Sequence, residues 1–179
     1  MPEIEIRPAV AEDIPALLDI DHNYSSDYVW QMEYQAEDGR VGVSFREVRL
    51  PRSVRVEYPR ASRLTDEEWA QHAGLLVAVL NDEPVGYTIL VPELSPLTTW
   101  MTDLVIKARL RRQGIGSALV LAGQEWGAQH NSRYLLLEMQ TKNYPAIRLA
   151  QKLGFDFCGY NDRYYANHDI GLFFAKSLR

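Results

Sequence analysis

The chain has 179 residues, 46% of them hydrophobic and 11% aromatic, with 19 lysines and arginines against 24 aspartates and glutamates for a net charge of −5. That length suits one domain around one core, expected to span 1–179, and the apolar content excludes a disordered or fibrous chain. One cysteine, Cys158, excludes an internal disulfide, four scattered histidines offer no metal cluster, and the net negative charge argues against a nucleic-acid partner, which needs a concentrated positive field.

The opening MPEIEIRPAV puts acids before any apolar run, unlike a secretory leader, and the longest apolar run, 74–80, is far below the ~20 residues that cross a bilayer. A cytoplasmic protein without a membrane partner is expected. Ile4, Ile6 and Val10 alternate as in a strand, and residues 11–21 then place Ile14, Leu17, Leu18 and Asp21 at helical spacing, with Glu12 and Asp13 in the first turn where the helix dipole favours acids. Residues 22–40 are polar and aromatic without a clear period, and a second short helix is read around 28–35. The β-rich runs 41–50 and 54–58, separated by Pro51-Arg52-Ser53, read as a hairpin.

Thr65-Asp66-Glu67-Glu68 resembles a capped helix start. Residues 75–80, the turn Asn81-Asp82-Glu83-Pro84 and residues 85–91 form the clearest strand–turn–strand, and 98–106 is a further strand. A long helix is predicted over 116–129, with Leu119, Val120, Gly123 and Trp126 on one side, and 134–139 is a short apolar run suited to a strand buried on both faces. Residues 145–152 form a helix with Pro145 at its first position and Gly154 just past its end, and two strands, about 155–165 and 170–176, close the chain.

Between the strand 98–106 and the long helix lies Arg111-Arg112-Gln113-Gly114-Ile115-Gly116-Ser117. A loop opening a helix can aim unpaired backbone N–H groups at an anion, the glycines allow close approach, Ser117 adds a hydroxyl, and Arg109, Arg111 and Arg112 add charge, so a diphosphate is the natural guest. Leu119 stands where a dinucleotide fingerprint needs its third glycine, and no Gly-Lys-Ser/Thr of a nucleotide P-loop is present.

That loop, the strand residues Leu104-Val105-Ile106 before it, and the run Asn143-Tyr144-Pro145-Ala146-Ile147-Arg148-Leu149-Ala150-Gln151-Lys152-Leu153-Gly154-Phe155 after it together resemble the GNAT superfamily of acetyl-CoA-dependent N-acetyltransferases, over roughly 75–176. The resemblance implies an α/β (α+β) fold with a mixed central sheet of about six to seven strands, splayed in the middle, and about four helices. Acetyl-CoA would lie where strands 98–106 and 134–139 part. Its pantetheine arm would bond backbone groups of Leu104, Val105 and Ile106 like an added strand, its pyrophosphate would meet Arg111, Arg112, Gln113, Gly114, Ile115, Gly116 and Ser117, and Asn143 would reach the arm from the later helix. Asn143 is also a natural N-cap for that helix.

The reaction implied is direct attack of a neutral amine on the thioester, which calls for a carboxylate base. Asp103 is the first candidate and Glu138 the second, the alternative for Asp103 being a contact to a neighbouring loop or arginine. The position where the family carries a proton-donating tyrosine holds Ala150, so Tyr165 or Tyr144 is the candidate donor to the departing thiolate, with Tyr160 and Tyr164 also available.

For the acceptor, Tyr164-Tyr165-Ala166-Asn167, the ending 169–177, the run 114–119 and Leu137-Glu138-Met139-Gln140 resemble the streptothricin acetyltransferase branch, which implies a small cationic amine such as a basic antibiotic or polyamine. Ten acids against one arginine in 1–38 would attract such a cation, or else are solvated faces. A protein N-terminus or lysine, and a non-catalytic acetyl-CoA sensor, are the other readings, and the protein would be a monomer or homodimer. Seven arginines against two acids in 39–63 read as a solvated face or as a contact for an anionic group.

Overall fold

The computed structural model describes residues 3–65 and 74–179. In chain order these form β1 (Glu5–Pro8), α1 (Ile14–Leu18), β2 (Tyr24–Glu37), β3 (Arg40–Val56), β4 (Gly74–Leu80), β5 (Glu83–Ser95), β6 (Thr98–Ile106), α2 (Ile115–Gln129), β7 (Tyr134–Gln140), α3 (Tyr144–Lys152), β8 (Asp156–Asn161) and β9 (Gly171–Ser177). Seven strands make one mixed sheet in the order β1-β4-β5-β6-β7-β9-β8, and β2 and β3 make a separate antiparallel pair. The α/β class and the seven-stranded splayed sheet match expectation. Among the described residues there are three α-helices rather than about four, and most of the Thr65–Glu68 helix start lies outside the described residues. None of these helices is long and apolar enough to cross a membrane.

The sheet buries both faces. Alternate residues of β4 go to opposite sides: Leu76 and Ala78 join α2, with Leu119 and Val120, while Val77 and Val79 pack with Leu17 and Ile20 around α1. The β4–β5 turn is tighter than the four residues expected, because Glu83 and Pro84 already pair with Leu80 and Val79. Asn81 and Asp82 take φ of 51° and 63°, which these short polar side chains tolerate and which suits the twist of a two-residue hairpin.

β6 and β7 are the one parallel pair among the described residues, and they stay paired only from Thr98↔Tyr134 to Met101↔Leu137. Beyond that point β6 runs on to Ile106 beside β5, after a bulge at Ile89/Leu90, while β7 runs on to Gln140 beside β9. The backbone groups on the facing edges of 102–106 and 138–140 therefore have no strand between them, and the gap they leave opens the sheet at its middle.

Two expectations are corrected in the segment 22–58. Residues 28–35 are not helical but the middle of β2, where Tyr28, Trp30, Met32 and Tyr34 alternate with Val29, Gln31, Glu33 and Gln35 in pairing with β3. Pro51-Arg52-Ser53 is not a turn: β3 passes through it as one strand. Ser26 pairs with Val54 and Tyr28 with Arg49, so residues 50–53 bulge out opposite Asp27 alone, where Pro51 costs no ladder hydrogen bond. The real turn is Asp38-Gly39, between the paired Glu37 and Arg40, with Gly39 at φ 75°.

This hairpin docks through aromatic contacts. Trp30 and Phe45 pack with Phe157, Trp30 with Phe174 and Phe45 with Tyr160, Tyr28 lies against Tyr144, and the Trp30 backbone N–H donates to the Thr141 carbonyl at 3.0 Å. Its open end, where Tyr24 pairs with Val56, faces the gap between β6 and β7. The residues just outside it, His22 and Tyr58 to Arg60, are thereby delivered to that gap.

Candidate active site

The gap is a cleft of about 480 Å³ lined from both edges of the split sheet, from the start of α2, from α3 and from the open end of the hairpin. Its phosphate end is built by backbone. Arg112 (φ 66°) and Gly114 (φ 90°) turn the chain into α2, a conformation in which Gly114 avoids the clash a side chain would bring. No side chain caps the helix, and its first internal bond is Ala118 N–H to the Gly114 carbonyl at 3.0 Å. The N–H groups of 115–117 thus lie outside the helix ladder at the positive end of the dipole. A Cβ on Gly116 would stand 3.2 Å from Ile106 and 3.3 Å from Leu149, so this turn packs flush against β6 and α3.

Of the residues expected to hold acetyl-CoA, Leu104, Val105, Ile106, Arg111, Arg112, Gly114, Gly116, Ser117 and Asn143 line the cleft. The Gln113 side chain turns back to the Arg109 carbonyl at 3.2 Å, and Ile115 is buried in the core, which leaves these two only their backbone to offer. Arg111 is spent differently from expectation. Its guanidinium donates to the carbonyls of Ile106 at 2.9 Å, Asn23 at 3.0 Å and Asp21 at 2.9 Å, and tethers the chain before β2 to the end of β6. Burial lowers its pKa. Arg109 and Lys107 both reach Glu83 rather than the loop. Arg148 and Lys152, one turn apart on α3, also line the cleft and were not singled out from the sequence, where they look like ordinary solvated helix residues.

Asn143 fills the capping role, its Oδ1 accepting the Ala146 N–H at 3.2 Å, and its amide nitrogen is left for the cleft. Replacing Asn143 with alanine is expected to cost about 1 kcal/mol in urea unfolding through the lost cap. Replacing it with aspartate, which still caps, should restore stability without restoring the acetyl-CoA KM. Full recovery of KM in the aspartate variant would reduce Asn143 to a cap.

The opposite end of the cleft is polar and aromatic. Tyr58 donates its hydroxyl to Asp103 Oδ1, and Thr102 donates to Asp103 Oδ2 at 2.8 Å. Asp103 itself is buried behind Tyr58, which lines the cleft. Desolvation, and then the nearby Asp103 carboxylate, hold the Tyr58 pKa well above the ordinary phenol range. The His22 Nδ1 lies 2.6 Å from the Ile20 carbonyl, which can only accept, so Nδ1 carries the proton, and in the neutral ring Nε2 accepts the Tyr87 hydroxyl at 2.6 Å. Tyr24 donates to Gln140, whose amide reaches Asp169.

Glu138 lines the cleft with its side chain fully buried, bound by Arg60 on one oxygen and by the Tyr164 hydroxyl on the other. Tyr165 also lines the cleft, and burial raises its pKa, so its hydroxyl keeps its proton across the working range. Tyr144 does not join them: it lies on Tyr28 and Glu47 outside the cleft. Ala150 is fully buried on the core face of α3. None of the ten acids of 1–38 lines the cleft; Asp13 pairs with Arg7 and Asp21 with Arg55. The arginine-rich segment contributes Arg60 to the cleft, a role carried by no motif.

The sequence profile of the Acetyltransferase (GNAT) family matches residues 43–155. An N-alpha-acetyltransferase of Sulfurisphaera tokodaii is 31% identical over 117 residues, 59% of this chain and 70% of that protein. The streptothricin acetyltransferase of Streptomyces lavendulae is 23% identical over 166 residues, 90% of this chain and 86% of that one. Among solved structures, one from Bacillus anthracis assigned as a streptothricin acetyltransferase, in complex with acetyl coenzyme A, superimposes with a TM-score of 0.76 over 98% of this chain and 99% of its own, at 16% identity. A split parallel pair, a glycine turn opening the next helix and a profile covering most of the chain agree: this chain belongs to the GNAT acetyltransferase family.

Proposed function

We propose that the chain works as one domain and transfers acetyl from acetyl-CoA to an amine of a small cationic acceptor, by direct attack with both substrates bound. The donor is the one the family uses. The observation that carries the acceptor reading is the polar end of the cleft, where Asp103 and Glu138 are buried carboxylates set among Tyr24, Tyr58, Tyr164 and Tyr165. Carboxylates and ring faces attract cations, and the alignment with a streptothricin acetyltransferase over 90% of the chain supports the same class.

In this reading Asp103 acts through Tyr58. As the amine nitrogen bonds to the thioester carbon it acquires positive charge. Its proton passes to the Tyr58 oxygen while the Tyr58 proton passes to Asp103, and the departing sulfur takes a proton from Tyr165, which regains one from water as Asp103 releases its own. Unpaired N–H groups on the facing edges of β6 and β7 would hold the carbonyl oxygen as it becomes an oxyanion. Acetylation of a peptide N-terminus is the second reading, favoured by the Sulfurisphaera tokodaii relative.

The test is release of CoA thiol with a panel of acceptors. Polyamines and lysine-bearing small molecules are expected to exceed peptides with free N-termini by at least about tenfold in kcat/KM, one step of ~1.4 kcal/mol. Turnover of peptides alone would overturn the small-cation reading and leave the peptide one.

A further inference from the structure

Glu138 is the first residue of β7 beyond the last paired position, Met101↔Leu137, so it stands at the vertex of the split. Its side chain has 0% exposure, and a carboxylate removed from water in this way needs a cation. The cation present is the chain's own Arg60, bound to Glu138, with its guanidinium carbon 5.4 Å from the centre of the Tyr164 ring and 5.3 Å from that of Tyr165. At that range ring faces attract a positive charge. One buried carboxylate and two ring faces are a cage for a cation.

The carboxylate and its occupant are mounted differently. Glu138 is held in the middle of the seven-stranded sheet, paired with Phe173 of β9, and Tyr164, in the irregular stretch between β8 and β9, is held by its hydrogen bond to Glu138 and by edge contacts to Tyr165 and Phe173. Arg60 comes from the irregular stretch after β3, and 21% of its side chain is exposed. A carboxylate fixed in the sheet and holding a group on an irregular tether is the geometry of a bound ligand rather than of a strut.

We propose that Arg60 is a tethered stand-in, and that an alkylammonium or guanidinium group of the acceptor displaces it from Glu138, Tyr164 and Tyr165. This rests on the amine-acceptor reading above and narrows it. A neutral group cannot take the place, since Glu138 would be left buried without a counter-charge. An amine seated on Glu138 keeps its proton and has no free lone pair, so it cannot be the nucleophile. The acceptor therefore carries two basic groups: one anchored in the cage, the other presented at Tyr58.

The probes are 1,4-diaminobutane and butylamine, of equal chain length and differing in the second charge. In Arg60→Met the diamine-to-monoamine ratio of kcat/KM is expected to rise about tenfold over wild type, because the tethered competitor is gone. An unchanged or lower ratio overturns the proposal. Since Arg60→Met leaves a buried carboxylate unpaired and can unfold the protein, the double variant Arg60→Met/Glu138→Gln is measured beside it; its ratio is expected to fall below wild type, and a ratio that stays raised overturns the cage. Calorimetric titration with 1,4-diaminobutane, without acetyl-CoA, separates this from the acceptor reading. Tighter binding to Arg60→Met with no amine turned over sustains the cage and sinks the acceptor reading. Acetylation of both amines with one ratio in all three proteins does the reverse.

Discussion

Replacing Asp103 with asparagine is expected to lower kcat/KM by about 10²–10⁴-fold at the acid end of the working range, the span of a positioned proton acceptor. The loss should shrink as pH rises, because hydroxide and the free amine then do without the acceptor. Asparagine is close to aspartate in shape and its Oδ1 still accepts from Tyr58, so urea unfolding should move far less than the rate. Tyr58→Phe removes the hydroxyl that bridges Asp103 to the cleft, and it should reproduce the Asp103→Asn profile. Because the two form one relay, the double variant should lose little more than the worse of the single ones. Additive losses, or an Asp103→Asn profile parallel to wild type at every pH, would make Asp103 an anchor for Tyr58 and nothing more. The raised Tyr58 pKa fits the bridging role, since the phenol remains protonated throughout and can pass a proton on only by receiving one.

How much of this was legible in the sequence depended on how local the signal was. The phosphate end reads directly, because a backbone that must present N–H groups writes itself as Gly114 and Gly116 at a strand–helix junction. The helix over 145–152 reads as directly, from Pro145 at its start and Gly154, at φ 79°, past its end. The acceptor end reads only in part: Asp103, Glu138, Tyr164 and Tyr165 stand out in the sequence, their partners do not. Tyr58 and Arg60 lie far along the chain from Asp103 and Glu138, and they meet only because a long hairpin sets its open end over the split.

That hairpin was itself obscured, since much of β2 and β3 faces water and lacks the apolar alternation of a packed strand. Pro51 imitates a break where the strand merely bulges. The signal that would have found the hairpin was Asp38-Gly39, a two-residue turn pair between runs of matching length. Charge counting misled in a related way. The acids of 1–38 and the arginines of 107–112 suggested a cation-attracting face and an anion clamp, yet Asp21 sits with Arg55, Glu83 takes both Lys107 and Arg109, and Arg111 is consumed by carbonyls. The charges that bear on the acceptor are Asp103 and the pair Arg60 and Glu138.

Gly116→Val is expected to raise the acetyl-CoA KM by about 10²-fold, two tenfold steps of ~1.4 kcal/mol each. The position leaves no room on either side. Toward the protein, a Cβ already stands 3.2 Å from the tip of the Ile106 side chain and 3.3 Å from that of Leu149, so the two further methyl groups of valine must displace those side chains or turn outward into the cleft. Turned outward, they cover the N–H groups of 115–117, which must come within hydrogen-bonding distance of an anionic oxygen to act. A β-branched residue at the start of α2 leaves the rest of the helix intact, so the damage should concentrate on the diphosphate. The loss measured with acetyl-CoA should therefore exceed, by at least about tenfold, the loss measured with S-acetylpantetheine, which has the thioester arm and no diphosphate. Equal losses on the two donors would show that the glycine serves the packing of β6 against α3 and that the diphosphate is held elsewhere, with Arg148 and Lys152 of α3 the cations next in reach along the cleft.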